Sequence, residues 1–235
     1  MRNQSFFINL HGIGEAPRPY ERGEKPYWLR RDELERVLDL VQAKSSSADI
    51  ALTVDDGNSS DYEVLAPTLR ERGMMATFFV LAGKLDQPGY LRRSQVRELA
   101  VDGFEIGSHG LHHVDWAGSG DGALAREVGD SKQIIEAVTG CPVTAASAPF
   151  GQYDRRVLRA LANFGYRRVF SSDGGPRLTV AWPTPRRTLR TGVDIEALGR
   201  QIDGHSMHHR LRSELRLQVK ASLPPSVLRA FRGGA

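Results

Sequence analysis

Short apolar runs recur along the chain, and most are followed by a segment whose apolar residues return at helical spacing. The runs are Ser5–Leu10, Ile50–Val54, Ala76–Leu81, Phe104–Ser108, Val143–Ala148 and Arg168–Ser171, with Arg187–Arg190 a seventh. Strands separated by crossover helices lie parallel, and the helices then cover the sheet faces. The expected architecture is α/β: an irregular (β/α) barrel of about seven parallel strands.

The helical segments carry their own start and stop signals. Leu34, Val37, Leu38 and Val41 share one face of a helix over 32–43, with Asp32 as its N-cap. Ser59 or Ser60 opens a helix that Gly73 ends, and Ser94 opens another that stops at Asp102-Gly103. A long helix over 124–138 stops at Gly140, and Asp154 and Asp194 cap two more. Residues 15–31, rich in proline, glycine and charge, form an irregular excursion before the first helix.

At 235 residues, with no internal repeat and no biased linker, the chain reads as a single catalytic domain over 1–235 with a basic tail from about residue 210. Its only cysteine, Cys141, rules out an intrachain disulfide and a thiolate metal cluster. The N-terminal run turns polar too soon for a signal peptide, so the expected location is cytoplasmic, and no stretch reaches transmembrane length. The net charge of +4 is partly terminal, with Arg210, Arg212, Arg216, Lys220, Arg229 and Arg232 against Glu214. The tail is read as solvated. Its functional alternative is contact with an anionic membrane surface or an acidic glycan. It lacks the aromatic interleaving of single-strand binders, which argues against a nucleic-acid partner.

The chemistry gathers where strands end. Thr53-Val54 runs straight into Asp55-Asp56-Gly57. Neighbouring strand residues face opposite ways, so one acid can hold a metal while the other faces another part of the site. The fourth strand ends at Ser108-His109-Gly110-Leu111-His112-His113. On a helical turn His109 and His113 would share a face, and imidazoles so placed suit a divalent cation. Other strand ends carry His11, Phe150-Gly151 and Asp173. In a barrel these ends form one catalytic face.

Thr-Val-Asp-Asp-Gly followed by His-x-x-x-His resembles the polysaccharide deacetylases, the NodB-homology or carbohydrate esterase family 4 domains, over roughly residues 5 to 190. The resemblance implies a NodB-like barrel with Asp55 as general base. It implies Asp56, His109 and His113 as ligands of a divalent metal, most often zinc, with cobalt, nickel or iron as alternatives. Such a site polarises an acyl carbonyl and lowers the pKa of a water molecule, while a backbone N–H and a general acid complete the reaction.

The chain departs from the family pattern at three places. Gly110 stands where the second motif has a hydroxyl residue, which Ser108 or Trp116 would replace as support for the loop. Ala148-Pro149-Phe150-Gly151 keeps the oxyanion turn, with the Phe150 amide as donor, but Ser147 stands in place of the motif arginine. Arg186 or Arg187 is then the source of that charge. The C-terminal Leu-x-His motif is missing, and His205, His208 and His209 read as surface residues. Ile8-Asn9-Leu10-His11 ends a strand as that motif would, which implies a circularly permuted order with His11 as general acid and Asp173 as the acid that orients it. Trp116 is a candidate for stacking on a sugar ring, and Tyr20, Tyr27 and Trp28 for lining a groove.

The expected function is a metal-dependent hydrolase that removes N-acetyl groups from amino sugars of an oligosaccharide, a polysaccharide or its precursor. The alternatives are deacylation of another substrate (an O-acetyl ester, a formyl-amino sugar or a cyclic amide) and a non-catalytic glycan-binding protein with a vestigial metal site.

Overall fold

Every named strand lies parallel to its neighbours in one sheet. The computed structural model describes residues 6–174, 182–204 and 207–222, with side chains of the last helix from residue 215. The strands are β1 (Phe6–Leu10), β2 (Ile50–Val54), β3 (Ala76–Val80), β4 (Glu105–Ser108), β5 (Ala145–Ser147), β6 (Arg168–Ser171), β7 (Thr184–Pro185) and β8 (Arg187–Thr188). The helices are α1 (Arg31–Lys44), α2 (Ala66–Glu71), α3 (Arg93–Val101), α4 (Asp121–Thr139), α5 (Arg155–Asn163), α6 (Ile195–Ile202) and α7 (Met207–Ser222).

The strand order is β7-β6-β5-β4-β3-β2-β1-β8. Its two edges are successive in the chain, separated only by Arg186. Thr184 and Pro185 pair with Phe170 and Ser171, while Arg187 and Thr188 pair with Ile8 and Asn9. At the handover the Arg186 amide donates to Ser171 O at 2.9 Å. One extended stretch thus serves both edges and brings the sheet almost to a closed barrel of seven staves among the described residues. The seventh stave begins three residues before the expected Arg187. Its first half contains Pro185, which weakens the strand signal in the sequence.

The main core lies between the barrel and its helices. It includes Leu34, Val37, Leu38 and Val41 of α1, as the spacing predicts, together with Val54, Phe78, Leu99, Val128 and Val169. Inside the barrel a second, smaller cluster of Phe79, Ala145 and Phe170, with Phe7 against it, forms an apolar floor. Above that floor the interior turns polar.

Three local expectations are corrected. Helix α1 starts one residue before Asp32, which therefore lies in its first turn; the Glu33 carboxylate accepts from the Arg30 amide at 2.8 Å and supplies the cap. The helix expected from Ser59 or Ser60 does begin there, but it widens into a π turn over Asp61–Leu65 before α2. The tail is not a free solvated arm as far as residue 222: Leu217 of α7 is buried, and Arg216 donates to Asp173 O at 2.8 Å. Residues 223–235, His205 and the side chains of His208 and His209 lie outside the described residues. No described helix is long and apolar enough to cross a membrane.

Candidate active site

The strand ends surround a cleft of about 960 Å³ lined by His11, Asp55, Asp56, His109, His113, Phe150, Asp173 and Arg186, among others. Asp55 follows β2 and is buried. Arg186 meets it with two parallel hydrogen bonds, Nη1 to Oδ1 at 2.8 Å and Nη2 to Oδ2 at 2.6 Å. Asn9 Nδ2 and Ser147 Oγ donate to Oδ2 at 3.0 and 3.3 Å. Burial alone would push the Asp55 carboxyl up, but the Arg186 guanidinium and then His109 hold it well below the usual carboxylate range. Arg186 is itself fully buried, its guanidinium 5.3 Å from the Phe79 ring and 5.8 Å from Phe170.

Ser147 therefore leaves space that a guanidinium from the closing stave, two strands away beyond β6, fills. Arg186 Nη2 donates to Ser147 Oγ at 2.7 Å. Arg187, next in the chain, points to the exposed rim, and the Asp55 contact belongs to Arg186.

Asp56 takes the other direction. Its Oδ1 lies 3.4 Å from His109 Nε2 and 3.6 Å from His113 Nε2, and it is buried without a hydrogen-bond partner. One ligand atom from each of the three residues fits within 4.8 Å. His109 Nδ1 lies 2.8 Å from Ser147 O, so it carries the proton and leaves the Nε2 lone pair facing Asp56. An orphaned carboxylate oxygen beside two imidazole nitrogens is a donor set that suits a divalent cation. The imidazoles of His109, His11 and His113 overcome burial and hold Asp56 ionised, well below its usual range.

The two histidines do not share a helical turn. Gly110 has φ +87° and His113 φ +58°, and this loop brings the ring centroids within 5.1 Å. The loop is supported from α4. Glu127 Oε2 accepts from the Leu111 and His112 amides at 2.8 and 3.3 Å, and Ser108 Oγ accepts from Gly110 N at 3.1 Å. A Cβ at residue 110 would sit 2.7 Å from Glu127 Oε2. Glycine there makes room for the carboxylate that replaces the missing hydroxyl.

His11 ends the β1 stave and stacks at 5.1 Å on Tyr27, which also lines the cleft. Its Nδ1 is buried without a hydrogen-bond partner. Asp173 does not orient it: that carboxylate accepts from Ser171 Oγ at 2.8 Å and pairs with Lys220 Nζ of α7 at 2.6 Å. Burial lowers the His11 pKa below its ordinary value, and Asp56 and Asp55 only partly oppose that.

Phe150 sits on the cleft with φ +56°, its side chain 56% exposed and its ring 4.3 Å from His113. Trp116 is 0% exposed and cannot stack on a sugar. It lies beneath the histidine loop, beside Gly110. Proximity along the chain to His113 gave a false signal, because the loop folds inward before α4.

Sequence reasoning missed Asn9, Glu127, Glu21 and Lys220. Asn9 left a trace: a lone polar residue inside the run Phe6–Leu10, two positions before His11 and so on the same strand face. The others come from elements whose approach only the tertiary fold fixes.

The family model for polysaccharide deacetylase matches residues 42–169, narrower than the 5–190 span read from the motifs, and the chain belongs to that family. Over 142 residues the chain is 30% identical to the "Putative polysaccharide deacetylase YxkH" of Bacillus subtilis (strain 168), covering 60% of this chain and 51% of that protein. Over 157 residues it is 31% identical to a chitooligosaccharide deacetylase of Rhizobium leguminosarum bv. trifolii, covering 65% of each. The chain thus spans about half to two thirds of these relatives. The solved structure of the Streptococcus pyogenes deacetylase PplD in complex with acetate shares the fold with a TM-score of 0.72 at 18% identity, covering 84% of this chain and 97% of that one. The matched interval 42–169 contains Asp55, Asp56, His109, His113 and Phe150 but neither His11 nor Arg186.

Proposed function

We propose that the protein is a metal-dependent deacetylase that hydrolyses the N-acetyl amide of an amino sugar in an oligosaccharide, a polysaccharide or its precursor. The observation that carries this is the division of labour between adjacent carboxylates. Asp56 faces two imidazoles with an unsatisfied oxygen, while Asp55 is clamped by Arg186. Similarity to a chitooligosaccharide deacetylase supports the carbohydrate substrate.

Asp56, His109 and His113 would hold the cation, zinc being the first choice for an Asp/His/His set and cobalt, nickel or iron the alternatives. When bound it supplies Lewis-acid polarisation of the acyl group and activation of water. The chain's own residues do the rest. Arg186 keeps Asp55 ionised and fixed, so that a carboxylate oxygen is ready to take a proton from the attacking water. The Phe150 main-chain N–H is assigned to the charge that develops on the acyl oxygen. His11 is assigned to the leaving amine. Tyr27, stacked on His11, narrows the cleft on that side.

A binding protein with a vestigial centre needs no Asp55, and still less a buried arginine to charge it. The test is acetate release from N-acetylglucosamine oligomers by metal-stripped protein, with and without zinc. Zinc-dependent release is expected. Zinc binding with no release from these oligomers, and none from O-acetyl or N-formyl sugars, would overturn the enzyme reading.

A further inference from the structure

The excursion between β1 and α1 reaches across the cleft and presents a carboxylate to one of the candidate ligands. Glu21 Oε2 lies 3.6 Å from His113 Nδ1, on the side of the ring away from Asp56. We propose that Glu21 is a positioning residue of the metal centre, setting the tautomer and orientation of His113. This rests on the metal reading above.

The two imidazoles are supported differently. His109 has its Nδ1 against the carbonyl of Ser147 in β5, part of the barrel wall. His113 has no such wall. It lies in a loop at φ +58°, a conformation a side-chain-bearing residue holds only where its surroundings impose it. The Phe150 ring covers one face at 4.3 Å. Among the described residues the acidic oxygen at Nδ1 is that of Glu21, at a distance that is electrostatic and longer than a hydrogen bond. A negative charge there favours the proton on Nδ1 and leaves Nε2, which faces Asp56, with its lone pair. Carboxylate partners of this kind orient metal-binding histidines and raise their basicity.

Glu21 is itself held. Tyr90 Oη donates to its Oε1 at 2.9 Å, and Lys84 Nζ lies 3.6 Å away, both from the segment after β3. The excursion is tied down on either side of it. Arg18 donates to Glu24 through both terminal nitrogens and to Asn58 Oδ1 at 2.8 Å, and stacks at 4.3 Å on Tyr90. Trp28 packs flat on Gly12, where a Cβ would come within 2.2 Å of the ring. The carboxylate is therefore delivered by a fastened loop.

The experiment is zinc titration of the metal-free full chain by calorimetry, beside the thermal midpoint of the metal-free protein. Glu21→Ala is expected to weaken zinc binding about 10- to 100-fold. Glu21→Gln should fall between it and the wild type, and Tyr90→Phe should weaken binding less than Glu21→Ala. Glu15→Gln, an exposed acid of the same excursion, should leave binding unchanged. The metal-free midpoints of Glu21→Gln and the wild type should coincide. Wild-type affinity in both Glu21 variants would overturn the proposal. So would a loss confined to Glu21→Ala with a lowered midpoint, while Glu21→Gln binds as the wild type. A wild type that binds no zinc, cobalt or nickel would overturn the metal reading itself, and this role with it.

Discussion

Arg186 and Asp55, 131 residues apart in sequence, form a buried two-point ion pair with distances of 2.6 and 2.8 Å. The arginine enters from the barrel's closing stave and the aspartate from β2. Desolvating both charges costs several kcal/mol each, which the paired geometry and the added bonds from Asn9 and Ser147 offset. The pair is poorly replaceable from one side only.

Arg186→Met should therefore lower unfolding stability by about 3–5 kcal/mol, read from denaturant midpoints, and abolish acetate release. Adding Ser147→Arg should recover part of both, because Ser147 Oγ already sits 3.3 Å from Asp55 Oδ2. No recovery at all would mean that β5 cannot carry the charge in this barrel.

His11→Ala should reduce kcat by about 100- to 10,000-fold. KM should change little, and zinc affinity far less than kcat, since Nδ1 of His11 makes no hydrogen bond and the ring acts on Asp56 only through its charge. Steady-state kinetics beside zinc titration separates these effects. A preserved kcat would remove His11 from the role of acid.

Chelation should abolish acetate release and lower the thermal midpoint. Zinc at 100 times its Kd should restore about 2.7 kcal/mol of stability. Asp56→Ala should erase the zinc-dependent part of that midpoint, as seen by differential scanning calorimetry at several zinc concentrations.

Gly110→Ser, which restores the hydroxyl of the family pattern, should destabilise the protein by about 1–3 kcal/mol. The new side chain would meet Glu127 Oε2 at φ +87°. A neutral or stabilising outcome in thermal melts would mean that the loop relaxes.

Asp61 lies in the π turn after β2, fully buried, both oxygens lacking a hydrogen-bond partner. Burial and then the charge of Asp56 push its pKa well above the ordinary value. A carboxyl with a raised folded pKa imposes no cost below the unfolded value of about 3.8 and an increasing one as pH rises above it. Asp61→Asn should therefore raise the thermal midpoint at pH 7 by several degrees, on the order of 2–4 °C per kcal/mol for a chain of this size, with the gain vanishing near pH 3. A gain equal at both pH values would point to packing instead.

The strands were legible because their interiors are continuous apolar runs, and the acid pair because charges at the end of such a run need a purpose. That His109, His113 and one acid of the pair could meet around a cation was legible from strand ends sharing one face, although the route is a strained loop and not a helical turn; that the acid is Asp56 came from the family resemblance. Arg186 was one of two adjacent candidates. Strand alternation separates them only once the stave is known to include Pro185, which the pattern concealed. Glu21, Glu127 and Lys220 act across elements, and nothing local distinguishes them from solvated surface charges. Trp116 was misread for the same reason: distance along the chain from His113 said nothing of which side of the loop it occupied.

The closing stave has a bearing on how the chain is completed during synthesis. Until Thr188 has emerged, the β1 and β6 edges lack their partner and Asp55 lacks the guanidinium of Arg186. The same five residues then zip both edges and deliver the guanidinium. The ladder and the ion pair are thus completed by one segment, and a chain ending before Arg186 lacks both the closing stave and the guanidinium that faces Asp55.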